Sequence, residues 1–305
     1  MRKLVLIDGN ALLHRAYHAY PPLTTPKGEL VGAVYGFSSL MLSVLEKLSP
    51  SHVVVAWDVK GPTFRKKSFE QYKAQRGPME EDLVSQIDRT KEVVEKLNIP
   101  QYGIEGYEAD DIIGTLSRTA IDEPDEVDVQ VVIVTGDRDA LQLIKDKKIV
   151  VYLPIHNRYS KSEVFDEERV KEVYGLNPEQ IVDLKALMGD ASDNIPGVRG
   201  VGKVTATKLI QDFGDVDNVY KNLKSEKIKE RVRTMLTEGE EMARKSRELA
   251  EIDKNVPLDF DWESSLMTNY NKNKAIQLFE ELSFKSLIPK LPKDEWEKEA
   301  EEVFL

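Results

Sequence analysis

Hydrophobic positions along the chain form two alternating kinds of segment. Short runs rich in Val, Ile and Leu occur at residues 3–7, 52–57, 129–134 and 149–153. Longer segments with apolar residues at helical spacing lie between them. Runs that are apolar on both faces are typical of strands buried in a parallel sheet, and their alternation with helices is the pattern of α/β domains. We therefore predict an α/β fold with a mostly parallel central sheet flanked by helices.

The pattern changes after about residue 165, where helical spacing takes over. Helices are predicted over 166–174, 178–188 and 203–213, and a long one over 79–97 in the first half. We predict a sheet domain over 1–165, a helical domain over 166–291 and an acidic tail over 292–305.

Composition limits the classes of protein that the chain can represent. None of the 305 residues is cysteine, which excludes disulfides and thiolate metal sites. No apolar run approaches the ~18 residues of a membrane helix. We expect a soluble, cytoplasmic monomer with no membrane partner.

Charge is unevenly distributed, which changes what the net charge of −11 implies. Residues 60–76 carry six basic side chains and one acidic one, and residues 197–208 carry three basic side chains and no acid. Local basic blocks of this kind are compatible with a nucleic-acid partner despite the acidic total.

Acidic residues follow the ends of the predicted strands. Because the carboxyl ends of parallel strands meet at one edge of a sheet, these side chains are expected to converge. Further acids begin a predicted helix near residue 109 or lie three residues apart after residue 188. Each pair alone is explained by helix capping, but their recurrence favours one shared site. The nine acids are Asp8, Asp58, Glu108, Asp110, Asp111, Asp137, Asp139, Asp190 and Asp193.

Such a cluster needs cations. Two like charges 4 Å apart repel by roughly 4 kcal/mol at an effective dielectric constant near 20. Carboxylates without His or Cys suit hard ions such as Mg²⁺ or Mn²⁺. A pair of these ions would suit the hydrolysis of a phosphodiester.

A glycine-rich turn precedes the helix predicted at residue 203. Gly197, Gly200 and Gly202 allow backbone amides to approach phosphates, and the basic residues there are Arg199, Lys203 and Lys208. The spacing is close to that of a P-loop, but Val204 replaces the hydroxyl residue that would bind Mg²⁺. We therefore predict contact with a nucleic-acid backbone and no nucleoside triphosphate site.

Motifs over about residues 1–290 together resemble the 5′-nuclease (flap endonuclease) family, which includes the N-terminal 5′→3′ exonuclease domain of bacterial DNA polymerase I. They are LVLIDGNALLHRAYHA, VVVAWD, YKAQR, GYEADDIIGTL, VTGDRDALQLI and GDASDNIPGVRGVGKVTATKLI. The resemblance implies a PIN-like domain with a helical arch near 60–97 and a helix-three-turn-helix DNA-binding domain. It also implies metal-dependent cleavage of DNA with a 5′ end or flap, RNA-primed or not, in replication and repair.

The resemblance also assigns roles to single residues. It places Glu108, Asp110, Asp111 and Asp137 at a tighter metal site, Asp139, Asp190 and Asp193 at a second, and Asp8 and Asp58 as acids acting partly through water. Tyr72, Lys73 and Arg76 match residues that grip the 5′ strand, within the same basic block as Arg65, Lys66 and Lys67. A K⁺ ion is implied at the glycine turn. Arg199, where the family usually has Pro, and the order Lys203-Val204 depart from the family pattern.

Two other functions stay open. A non-catalytic module that binds flap DNA would be expected to lack one of the acids, and a PIN-type ribonuclease would lack the glycine turn and the arch. After residue 291 no polymerase follows, so we expect a stand-alone nuclease or an excised domain, with a DNA polymerase acting in trans as a partner.

Overall fold

The computed structural model describes residues 2–122, 128–154 and 162–297. Part of the predicted acidic tail, residues 298–305, lies outside the described residues.

One sheet forms the centre of the molecule. Its strands are β1 (Arg2–Asp8), β2 (His52–Ala56), β3 (Gln101–Tyr102), β4 (Val129–Val134), β5 (Ile149–Leu153) and β6 (Glu163–Phe165). Within the described residues they lie in the order β3-β2-β1-β4-β5-β6, and only β6 is antiparallel to its neighbour. β1 is central and fully buried from Leu4 to Ile7. The mostly parallel sheet is confirmed.

Helices flank the sheet and build the second half of the chain. They are α1 (Gly9–Ala19), α2 (Gly32–Leu48), α3 (Phe64–Ser68), α4 (Glu81–Val84), α5 (Ile87–Lys96), α6 (Ala109–Asp122), α7 (Glu167–Tyr174), α8 (Gln180–Met188), α9 (Lys203–Phe213), α10 (Val216–Lys221), α11 (Glu230–Ala250) and α12 (Lys272–Glu281), with 3-10 turns at Asp139–Leu143, Glu263–Ser265 and Ile288–Lys290.

The four apolar runs form strands close to their predicted bounds, but three features differ from the predictions. β3 and β6 are too short to have an apolar run of their own. The single helix predicted over 79–97 is interrupted between α4 and α5. At the interruption the buried Gln86 side chain turns away to accept a hydrogen bond from the Ala33 amide, 2.8 Å away.

The packing of the last third of the chain does not follow the predicted boundary at residue 165. One apolar cluster of the helical region joins α8, α9, α10 and α11. After α11 the chain returns to the sheet: Ile252 and Val256 pack with one face of it, and residues 267–291 pack in the core on the other face, beside α2 and α5. The range 166–291 therefore does not pack as a single unit. No helix in the described parts of the chain is long and apolar enough to cross a membrane.

Candidate active site

The edge of the sheet at the carboxyl end of β1 carries the first acid. Asp8 is buried, and its carboxylate accepts hydrogen bonds from the Ala11 amide at 2.9 Å and the Thr135 hydroxyl at 2.8 Å. Because Asp8 also caps α1, the same side chain begins a helix and faces the site. Burial raises the pKa of Asp8 to about 6, although both hydrogen bonds lower it.

Asp110, in the first turn of α6, has the least satisfied carboxylate of the group. Its Oδ1 atom is buried and has no hydrogen-bond partner. Burial first, and then the charges of Asp8, Asp137 and Asp139, hold the pKa of Asp110 well above its usual range. Four of the nine predicted acids therefore converge, and one oxygen among them accepts no hydrogen bond.

Lys185 on α8 lies between Asp139 and Asp190 and pairs with both. Its Nζ atom forms ion pairs with Asp139 and with Asp190, the latter at 2.6 Å. Burial and the charge of Asp137 raise the pKa of Asp139 to about 7, although Lys185 opposes the shift. At Asp190 burial acts the same way, but hydrogen bonds from Lys185 and Ser192 outweigh it and lower the pKa to about 2. The helical region thus contributes a cation as well as two acids to the site.

The basic segment after α3 lies over the remaining acids. Lys73 Nζ donates to Glu108 at 3.0 Å and lies 3.7 Å from Asp193, while Arg76 donates to Asp193 at 2.5 Å. Lys73 has a positive φ of 53°, an uncommon conformation for a non-glycine residue, and its amide donates to the Asp193 carbonyl at 2.9 Å. The structure brings Lys73, Arg76, Glu108 and Asp193 together.

Tyr72 lies below this segment, where its side chain is buried. Its side chain is 3% exposed, and its hydroxyl donates to Glu108 at 3.1 Å. Val182, Ile195 and Leu249 pack with its ring, so contact of Tyr72 with the 5′ strand stays a prediction.

Arg65 and Asp111 form a buried ion pair, an arrangement that the roles implied by the resemblance did not include. The guanidinium donates to both Asp111 oxygens, at 2.8 and 2.7 Å, and to the carbonyls of Leu249 and Glu251. Asp111 also accepts from the amides of Glu108 and Asp253. With exposures of 3% and 0%, both side chains are enclosed by the fold, and their predicted roles at DNA and at a metal stay predictions.

The other basic residues of this segment have different surroundings. Lys66 donates to the carbonyls of Glu70 and Tyr72, which holds the turn that carries Lys73. Lys67 is exposed. Asp58, just after β2, is exposed as a residue and accepts from the Ala109 amide at 2.8 Å, so it also holds the start of α6.

The acids around Asp110 have the properties of a metal-binding site. Among the described residues no three acids are already placed to hold a metal ion. Lys73, Arg76 and Lys185 form ion pairs with several of them. Asp110 Oδ1 has no such partner. Hard divalent cations take oxygen ligands of this kind, so the residues present fit such an ion.

Comparison with known proteins shows the family to which the chain belongs. The family model for the N-terminal resolvase-like domain of 5′-3′ exonucleases matches residues 3–175, and the model for their C-terminal SAM fold matches residues 176–273. The chain belongs to the 5′-3′ exonuclease family. DNA polymerase I of Caldicellulosiruptor bescii is 41% identical over 291 residues, which is 95% of this chain and 33% of the relative. The chain thus spans about a third of the length of the curated relatives that it matches.

Two solved structures share the fold of this chain. The T5 5′-exonuclease with bound zinc ions is 22% identical, with a TM-score of 0.66 over 95% of this chain and 99% of that one. The bacteriophage T5 D15 flap endonuclease in a complex with DNA and metal ions is 22% identical, with a TM-score of 0.65 over 92% of this chain and 100% of that one. At this identity the likeness shows the fold alone.

The glycine turn lies at the start of α9 and packs against Gly189, the residue before Asp190. Gly197 has a φ of +61°, and a Cβ there would lie 2.2 Å from the Gly189 amide nitrogen, so only glycine fits. Gly200 also has a positive φ, and Gly202 precedes α9. Of the basic residues predicted here, Arg199 and Lys208 are exposed, and Lys203 Nζ lies 5.3 Å from the Tyr174 ring centroid. Gly200 and Gly202 are exposed, whereas Gly197 is buried and its amide donates to the Ser246 hydroxyl at 3.0 Å.

Sequence reasoning missed Lys185 and Thr135. Lys185 is one of two buried charged side chains on α8, with Asp183, and lies between the apolar residues Leu184 and Ala186. That misplaced charge, five residues before Asp190, is a signal that could have found it. Thr135 directly continues β4, and nothing in its sequence context marks it.

Proposed function

We propose that the chain hydrolyses phosphodiester bonds of DNA that carries a 5′ end or a 5′ flap, with two divalent cations, Mg²⁺ or Mn²⁺, bound by the acids. The observation that carries the proposal is the buried, unpartnered Oδ1 of Asp110 among Asp8, Asp137 and Asp139. Membership of the 5′-3′ exonuclease family and the DNA and metal ions bound by a structural relative support it.

Within this proposal the acids divide into two groups. Asp110, Asp137 and Glu108, with Asp8 and Asp58 beside them, would hold one ion, and Asp139, Asp190 and Asp193 would hold the other. Bound ions supply positive charge that polarises the phosphodiester and lowers the pKa of water. Asp111 is left out of the ligand set because Arg65 already occupies both of its oxygens.

The basic segment would act on the phosphate. Lys73 and Arg76 are paired with Glu108 and Asp193, so their donors already lie at the acids. A phosphate placed there would accept hydrogen bonds from both, and donors fixed where charge develops lower the barrier most. Tyr72 would act indirectly, by orienting Glu108 through its hydroxyl.

The remaining parts of the proposal concern partners. The glycine turn and Arg199, Lys203 and Lys208 would hold the duplex backbone as a helix-three-turn-helix element, with a K⁺ ion bound at the turn. Removal of flaps or RNA primers in replication and repair, by a monomer working beside a polymerase, fits the relatives' identity as DNA polymerase I.

A cleavage assay tests the proposal. A labelled 5′-flap DNA and an RNA hairpin are each incubated in Mg²⁺, in Mn²⁺ and in EDTA. We expect cleavage of the flap DNA with metal only, and a loss of more than about a hundredfold for Asp110→Asn, because metal charge supplies several kcal/mol. Asp259→Asn is the matched control, since this aspartate is exposed and its side chain is far less constrained.

The alternatives predict other outcomes of the same assay. Binding of the flap without cleavage in either metal would indicate a non-catalytic DNA-binding module. Preferential cleavage of the RNA hairpin would indicate a PIN-type ribonuclease.

A further inference from the structure

A groove of about 130 Å³ lies between α1 and α2, outside the acid cluster. α1 lines it through residues four apart, Arg15 and Ala19, and α2 through Ser39 and Ser43, also four apart. The helices approach closely because Gly36 lacks a side chain: a Cβ there would lie 2.6 Å from the Tyr20 ring. The groove is therefore fixed by packing between two long helices.

The polar side chains that line this groove are cations and hydroxyls. Arg15 and Lys290 supply two positive charges, and Ser39 and Ser43 supply two hydroxyls. No carboxylate lines the groove, although the chain has a net charge of −11. The chemistry of the lining thus suits an anion with several oxygen acceptors.

Arg15 lacks the partner that a partly buried arginine normally has. Among the described residues it donates no hydrogen bond and joins no ion pair. Burial lowers its pKa, and no neighbouring acid acts against that shift. By contrast, Arg65, Arg89 and Arg169 are each bound to carboxylates. Arg15 is thus a cation held in place without its counter-ion.

Arg15 also connects the groove to the candidate active site. Its Nη1 atom lies 3.9 Å from where a Cβ on Gly136 would be. Gly136 lies between Thr135, which bonds to Asp8, and Asp137. Arg15 therefore lines the groove and also lies close to the loop that carries Asp137.

We propose that the groove between α1 and α2 binds a phosphate group, with Arg15 and Lys290 as its cationic ligands and the hydroxyls of Ser39 and Ser43 as donors. That this phosphate belongs to a nucleic acid rests on the proposed function, whereas the binding of an anion in the groove does not. A backbone phosphodiester, a terminal 5′-phosphate and free phosphate share the chemistry, and the experiment separates them.

The first measurement needs neither DNA nor metal. Inorganic phosphate is titrated in EDTA against the ¹⁵N-labelled chain, and the Nε–Hε signal of Arg15 is followed by NMR. We expect this signal to shift with saturation, and the shift to weaken in Lys290→Gln, which removes the second cation of the groove. An Arg15 signal that does not respond to phosphate overturns the proposal, and a nuclease that fails to cleave DNA leaves this result unaffected.

The second measurement uses a 5′-flap duplex bound in EDTA, followed by fluorescence anisotropy over a range of salt. Arg15→Gln should weaken binding by about tenfold or more, because hydrogen bonds to charged groups contribute that much. Lys290→Gln should lower the slope of log affinity against log salt by about one. Lys285→Gln, an exposed lysine five residues away that does not line the groove, is the matched control and should change neither.

Comparing flaps with a 5′-phosphate and a 5′-hydroxyl identifies the source. An Arg15 effect that needs the 5′-phosphate indicates the terminal group, and an equal effect on both flaps indicates a backbone phosphodiester. A phosphate response without any effect on DNA binding indicates free phosphate and overturns the nucleic-acid source. Equal losses of DNA affinity for Lys290→Gln and Lys285→Gln overturn the site, because they would show that any positive charge on this surface contributes equally.

Discussion

The ion pair of Arg65 and Asp111 gives the sharpest prediction, because the family resemblance and the structure assign different roles to both residues. The pair joins three parts of the chain: α3, the start of α6 and the segment after α11. It is completely buried and bidentate. If it positions these segments, breaking it must cost folding free energy before it affects any ion.

The magnitude follows from burial. Removing one partner of a buried pair leaves an uncompensated charge and costs about 3–5 kcal/mol. In Asp111→Ala the guanidinium keeps only the carbonyls of Leu249 and Glu251. Removing both charges in Arg65→Met with Asp111→Leu should cost less than either single change, since an apolar pair of similar volume is often tolerated.

Two assays on the metal-free and metal-bound protein check this. Denaturant unfolding measures the loss of stability for both single variants and the double variant. Calorimetric titration with Mg²⁺ measures ion affinity for Asp111→Asn, which we expect to stay within about twofold of the parent chain. A stability loss below about 1 kcal/mol together with a large fall in Mg²⁺ affinity would show that Asp111 is a metal ligand and that the positioning role is wrong.

Three further predictions concern the acids and the turn. In EDTA the chain should become more stable as the pH falls from 8 to 6. The pKa values of Asp8 and Asp139 are raised to about 6 and about 7, so the folded state binds protons that the unfolded state releases. Thermal unfolding at each pH measures this change in stability. Added Mg²⁺ should reverse the trend, and a stability that rises with pH in EDTA would contradict it. Lys185→Met should destabilise the metal-free chain by about 3 kcal/mol and should be rescued by Mg²⁺, because the ion replaces the lost charge between Asp139 and Asp190; no rescue would count against a metal there. Gly197→Ala should cost more than about 2 kcal/mol in denaturant unfolding, from its positive φ and the clash with Gly189, whereas Gly77→Ala, with open space around its Cβ, should cost little.

Local sequence predicts the framework because its signal is strong there. The runs at β1, β2, β4 and β5 are apolar on both faces, and only a central parallel strand accommodates that pattern. β3 and β6 have two and three residues and are defined by pairing with a neighbour, which the sequence of the segment does not encode. The break before α5 depends on a contact between Gln86 and the Ala33 amide, 53 residues away.

In the candidate active site, the sequence likewise predicts some features and not others. The acids at the strand ends could be predicted, since the parallel sheet brings Asp8, Asp137 and Asp139 to one edge, where Asp110 joins them from the start of α6. Which acids are already neutralised could not be predicted. Arg65 lies in a basic run that looks solvated, yet it is buried against Asp111, and Lys185 comes from the helical region. These pairings arise from tertiary packing between distant segments.

The distribution of cations among the acids has a consequence for the order of metal binding. Asp139 and Asp190 share Lys185, and Asp193 is bound by Arg76, so an ion at these acids must displace a cation of the chain. Asp110 Oδ1 has no such partner, and an ion beside it with Asp8 and Asp137 only relieves repulsion. The first ion should therefore bind more tightly at Asp110 than the second does near Lys185. Calorimetric titration of the chain alone should resolve two affinities, with Lys185→Met strengthening the weaker one and Asp110→Asn removing the tighter one; a single affinity that responds to neither change would refute this order.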